Sequence, residues 1–201
     1  MSPRSSENRQ RMVVSAAQLL REYGANATSV DRVLAHSGAS RGSVYHYFPQ
    51  GRAQLIGEAV EFAGDYISGL IDAMVADGDP LRALHAFFDL WRTQLAGSDY
   101  RAGCPIIAVA VETNDDAPQL ARSAAAVFAR WQDALAGLLE RNGLAQERSM
   151  RLATVIIAAV EGAVIMCRAE QSTSPLDATA AEIRDLLTRA LPGRTGDGRQ
   201  P

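Results

Sequence analysis

The sequence predicts an all-α protein, a small three-helix N-terminal head on a larger helical body, and three observations carry that expectation. Apolar residues recur at i, i+3 and i+4 in segment after segment, without the period-two alternation of a strand. The segments begin after Ser, Thr or Asp and end at Gly, Pro or Asn-Gly, the usual helix punctuation. Charge is split unevenly: residues 1–52 hold seven Arg against Glu7, Glu22 and Asp31, a balance of +4, so the remaining 149 residues carry −7 in a chain of net charge −3.

The elements follow in order. A first helix is expected over about Glu7–Tyr23, with Met12, Ala16, Leu19, Leu20 and Tyr23 as its stripe and Gly24 as its stop. Thr28 reads as the N-cap of a second helix with Val30, Val33 and Leu34 on one face. His36-Ser37-Gly38-Ala39 breaks it, and Gly38 supplies the positive φ of a sharp turn. Ser40 caps a third helix, Arg41 to about Tyr47, which Pro49 ends. Further helices are then expected over about 52–75, 81–95 (capped by Asp79, with Pro80 first), 105–113 (short and very apolar), 118–141, 145–169 and 177–191. Residues 193–201 read as a disordered tail.

The third helix is unusual in what it exposes. Val44 and Phe48 pack inward, leaving Arg41, Gly42, Ser43, Tyr45, His46 and Tyr47 outward. Aromatics interleaved with Arg and small hydroxyls suit a surface that meets phosphates and base edges. The plainer alternative is a helical hairpin with surface tyrosines. A basic head on an acidic body favours the nucleic-acid reading.

The stretch TSVDRVLAHSGASRGSVYHYFPQGRAQL, from Thr28 to Leu55, closely resembles the DNA-binding signature of the TetR (tetracycline-repressor) family of transcriptional regulators. The match rests on Thr28-Ser29-Val30, the Ser37–Ser40 turn and Gly42–Phe48, and extends upstream through Ala17, Leu20 and Gly24. Gln50-Gly51-Arg52 departs from it where many members carry a lysine, and Arg52 supplies the charge. Gly103-Cys104-Pro105-Ile106 resembles the multidrug-responsive LmrA/QacR-like subgroup. The resemblance implies a helix-turn-helix DNA-binding domain over 1–51 and a helical ligand-binding and dimerisation domain over 52–192. The partners it implies are a double-stranded DNA operator, a small-molecule effector and a second copy of the chain. The expected function is a repressor released from a palindromic operator by a small apolar or aromatic ligand. A helical small-molecule-binding protein without operator binding is the alternative.

Site residues follow from this reading. Arg41, Gly42 and Tyr45 are expected at base edges, and Thr28, Ser29, Ser43, His46, Tyr47 and Arg52 at phosphates. Ligand-lining candidates in the body are Phe62, Tyr66, Leu70, Phe87, Trp91, Ile107, Val111, Glu112, Phe128, Trp131 and Met166. For any one of these, simple core packing is the competing reading. Glu112 and Glu161 sit in apolar stretches, and either would favour a cationic ligand if it faced the pocket. The last two helices are expected to pair with their counterparts through Leu152, Ile156, Val160, Ile183, Leu186 and Leu187.

Other classes find little support. There is no GxSxG, HExxH, phosphate-binding glycine loop or metal-ligand spacing among the three histidines, so no enzyme, metal or cofactor is expected. Cys104 and Cys167 form no CxxC and read as reduced thiols of a cytoplasmic protein, with a disulfide or redox role as the alternative. No apolar segment follows Met1, so no signal peptide is expected. The longest apolar run, Leu152–Met166, falls short of the roughly 20 residues that cross a bilayer.

Overall fold

The computed structural model describes residues 3–112 and 118–192. Among these are nine helices and no strand: α1 (Pro3–Ala27), α2 (Val30–Ser37), α3 (Arg41–Tyr47), α4 (Arg52–Ala76), α5 (Pro80–Gly97), α6 (Pro105–Glu112), α7 (Pro118–Arg141), α8 (Gln146–Glu170) and α9 (Ser174–Ala190). The all-α expectation holds, with each predicted segment present and most ends within a few residues. The tail expected from 193 lies outside the described residues.

Packing divides the chain into two compact units, Met1–Ile67 with Arg101–Phe128, and Ser68–Tyr100 with Ala129–Pro201. Helices α4 and α7 contribute to both.

In the first unit α1 packs against α2 and α6. Met12, Leu20, Val33, Val44, Phe48, Leu55, Ile56, Val60, Ile106 and Val109 are buried together. The helix of α1 is interrupted at Gly24 (φ 84°, ψ 174°), a backbone region essentially reserved for glycine. The chain there leaves the helix axis and turns into α2. Arg9 ties α1 to α4 through Glu58 at 2.5 Å and lies over the Phe48 ring at 5.3 Å.

In the second unit α5, α8 and α9 pack on one another. Asp79 caps α5, its Oδ1 accepting the Leu81 N–H at 2.9 Å, with Pro80 in the first turn where its missing N–H costs nothing. Arg92 of α5 bridges Asp89 at 2.5 Å and Asp177 of α9 at 2.6 Å. The Trp131 indole N–H donates to Ser68 Oγ at 3.0 Å.

Helix α8 is longer than the apolar run within it, and by length and composition alone it would cross a membrane; half of its most apolar window is buried inside the protein. Its buried face carries Ser149 and Glu161 along with the apolar residues.

Candidate nucleic-acid interface

The α2–turn–α3 segment is built from short-range bonds. Ser29, not Thr28, caps α2: its Oγ accepts the Arg32 N–H at 3.2 Å. Gly38 takes the left-handed conformation (φ 68°) and donates its N–H to Leu34 O. Ser37 Oγ accepts from the Ala39 N–H at 3.3 Å. Ser40 starts α3 in extended conformation, but its hydroxyl pairs with Ser43 Oγ at 2.7 Å instead of capping an amide.

Val44 and Phe48 are 0 % exposed and pin α3 to the unit. The opposite face is therefore fixed outward. Arg41, Gly42, Tyr45 and His46 are exposed, and Ser43 and Tyr47 are half-buried. Tyr45 is 68 % exposed, and a Cβ added to Gly42 meets nothing within 4 Å. The rings of His46 and Tyr47 meet edge-on, 5.0 Å between centroids. Arg41 reaches back across the turn to Asp31 of α2, Nη2 to Oδ1 at 2.7 Å.

Two residues expected at phosphates are placed elsewhere. Thr28 is wholly buried, and its hydroxyl donates to Gly24 O at 2.7 Å. With no surface, its side chain has nothing to offer a phosphate. Arg52 donates through Nε to Thr28 O at 3.0 Å and through Nη2 to Ala25 O. Its guanidinium staples the start of α4 to the α1–α2 turn. Thr28, expected as the cap, is core instead because the turn at Gly24 carries it inward.

The ligand-lining candidates do not fall on one unit. Phe62, Tyr66, Ile107, Val111, Glu112 and Phe128 belong to the first; Leu70, Phe87, Trp91, Trp131 and Met166 belong to the second. Phe87 abuts a crevice of about 10 Å³ with Leu84, Leu138, Leu139, Ile156 and Leu187, so it packs as core there. Trp131 is buried and hydrogen-bonded to Ser68. Tyr66, Val111 and Met166 are more than half exposed. Trp91 is buried, and its Nε1 has no hydrogen-bond partner among the described residues. Glu112 turns toward α1: its Oε2 accepts the Asn26 N–H at 2.5 Å.

The dimer candidates need correction. Leu152, Ile156, Val160, Ile183 and Leu187 are at most 5 % exposed within one chain, and only Leu186 is half-buried. A side chain already covered has no area left for a second copy. What α8 leaves uncovered is a parallel stripe, Val155, Ala158, Gly162, Ile165 and Met166, at the i, i+3, i+4 spacing of one helix face. Sequence periodicity could not separate the two stripes, because α8 is apolar on both.

The family model for bacterial regulatory proteins of the tetR family matches residues 13–59. The model for the C-terminal domain of LmrA/YxaF-like transcriptional regulators matches residues 80–182. The chain belongs to the TetR family of transcriptional regulators. It is 47% identical over 193 residues to the uncharacterised HTH-type transcriptional regulator Rv0196 of Mycobacterium tuberculosis H37Rv, covering 93% of this chain and 97% of that one. It is 28% identical over 184 residues to the HTH-type transcriptional regulator LmrA of Bacillus subtilis 168, covering 91% and 98%. Among solved structures, a TetR transcriptional regulator from Chloroflexus aurantiacus J-10-FL superposes with a TM-score of 0.75 at 25% identity, covering 94% and 98%. The helix-turn-helix just described lies inside the tetR-family match, and α5, α6, α7 and α8 lie inside the LmrA/YxaF-like one.

The remaining chemistry of this TetR-family chain is sparse. Among the described residues no group of three His, Cys, Asp or Glu is placed to hold a metal ion. Cys104 and Cys167 are both buried, and neither forms a disulfide among the described residues. Burial pushes the Cys167 thiol above its ordinary range, so it is protonated and a poor nucleophile at neutral pH.

Proposed function

We propose that this TetR-family regulator is a cytoplasmic homodimeric repressor that leaves its palindromic operator when a small apolar or aromatic molecule binds the helical body. The observation that carries the reading is α3: two fully buried anchors, Val44 and Phe48, hold Arg41, Gly42, Tyr45 and His46 outward on a basic head. A second-helix surface of this kind enters the major groove, with Arg41 suited to guanine O6 and N7. Ser29, Ser43, His46 and Tyr47 stand beside it as phosphate contacts. Functionally, residues 1–51 read DNA, and residues 52–192 bind effector and partner.

Two-fold pairing supplies the second head that a palindrome requires. The uncovered α8 stripe of Val155, Ala158, Gly162, Ile165 and Met166 supports it, its small residues allowing close helix approach. For the effector, the buried Trp91 indole N–H is a donor in need of an acceptor, the kind of polar handle that orients a ligand in an apolar site. A ligand lowers operator affinity only by its differential affinity for the two states, typically 1–3 kcal/mol. Fluorescence anisotropy on a selected duplex and a scrambled one tests the reading. Compounds that quench tryptophan fluorescence should release the selected duplex at similar concentrations. Equal binding to both duplexes refutes operator reading, and quenching without release refutes induction.

A further inference from the structure

We propose that Asp31 is a specificity-determining residue of the DNA-reading surface, a positioning residue that holds the Arg41 guanidinium in the orientation that reads guanine. The proposal rests on the docking of α3 described above and names what sets its selectivity.

The geometry is an ion pair across the α2–α3 turn, Asp31 Oδ1 to Arg41 Nη2 at 2.7 Å, with side chains 72 % and 78 % exposed. Stability does not account for it. Exposed ion pairs contribute close to nothing, because water screens them and two side chains must be immobilised. Nor is the carboxylate needed as a cap, since Ser29 Oγ already accepts the Arg32 N–H.

Electrostatics makes its presence more telling. Asp31 is one of three acidic residues in the first 52, and it sits one ion pair from the expected base-reading arginine. A carboxylate there repels the phosphates that dominate nonspecific affinity. A head selected only for tight binding gains from it no more than the modest dipole contribution of an acid in the first turn of α2. A head selected for discrimination gains more: a carboxylate lowers binding to every sequence while leaving the contact it organises intact.

The chemistry of the fork supplies the mechanism. Arginine presents planar N–H donors that match O6 and N7 of guanine only when the plane is correctly set. Unheld, the same long side chain swings to a neighbouring phosphate or meets other bases singly. Asp31 occupies one donor of Nη2, fixing the plane and leaving donors directed away from α2. Arg32, the adjacent cation, is not available as a substitute: it lies over the Tyr23 ring at 4.2 Å and donates to Ala27 O at 3.2 Å.

The test is a double-mutant cycle on operator binding with wild type, D31N, R41A and D31N/R41A. Anisotropy is read at one moderate salt concentration on the selected duplex and its single-base-pair variants, with thermal unfolding as the folding control. D31S serves if D31N unfolds. D31N should lower discrimination at one base pair roughly threefold to tenfold, a fraction of the full bidentate contact, and should tighten binding to unrelated DNA. In the R41A background the same change should no longer alter discrimination. Unchanged discrimination in D31N, beside a clear loss in R41A, overturns this inference alone. A D31N effect that persists without Arg41 overturns it too, since Asp31 would then touch DNA itself. If R41A leaves discrimination untouched, the docking of α3 falls, and the inference with it.

Discussion

The Glu112 carboxylate at the end of α6 accepts the backbone N–H of Asn26 at 2.5 Å, just beyond the point where α1 breaks. The same carboxylate fills the space beside Gly24, so that a Cβ added there would run into Glu112 Oε1. Arg52 holds the Ala25 and Thr28 carbonyls of the same turn, and Thr28 holds that of Gly24. The turn that launches α2 is thus gripped by side chains from two other helices of its unit.

Gly24→Ala should therefore be costly twice over, by its backbone conformation and by the clash. The backbone part alone is about 1–3 kcal/mol, or roughly 2–4 °C of Tm per kcal/mol in a chain of this size. Glu112→Ala should recover part of that loss when combined with it. Strictly additive losses in thermal melts would show that the two residues do not meet.

Arg41→Ala should weaken operator binding by about 1–3 kcal/mol and relax preference at one base pair. Because Arg41 is exposed and its ion pair contributes little, the melting temperature should hold. Anisotropy on single-base-pair variants separates this from a general loss of phosphate affinity, which would weaken all sequences alike.

Ile165→Glu should drive the proposed dimer to monomer while leaving helicity unchanged, because Ile165 is half exposed on one chain. Leu187→Glu should instead unfold its unit, since Leu187 is buried within the chain and an unpaired buried charge costs several kcal/mol. Light scattering beside circular dichroism distinguishes the two. A dimeric Ile165→Glu protein would remove the α8 stripe from the interface.

The two tryptophans should respond differently to Phe. Trp91→Phe deletes a buried donor without a partner, a relief that offsets the lost volume. Trp131→Phe leaves Ser68 Oγ without its bond. The second should cost about 1–2 kcal/mol more than the first in the ligand-free protein. Equal melting temperatures would contradict that.

How much of this was legible in the chain follows from which forces are local. Helix ends at Ser40, Asp79, Pro80 and Gly38 are set by neighbours a few residues away, and they were readable. So was the outward face of α3, because Val44 and Phe48 fix it by spacing alone. The inward fate of Thr28 and Arg52 was not readable: it depends on the turn at Gly24 and on α4 reaching the same carbonyls. The contact of Glu112 with Asn26 was unreadable for the same reason, the two being 86 positions apart. The choice between two apolar stripes on α8 is decided only when α5 and α9 cover one of them.

Selection of bound duplexes from a random pool measures directly whether this chain reads DNA by sequence. The prediction is an enriched two-fold symmetric site whose half-sites are separated by about one helical turn or a multiple of it, with a guanine whose enrichment disappears in the Arg41→Ala protein. A pool that stays unenriched at moderate salt, or an enriched site without symmetry whose guanines survive Arg41→Ala, would contradict it.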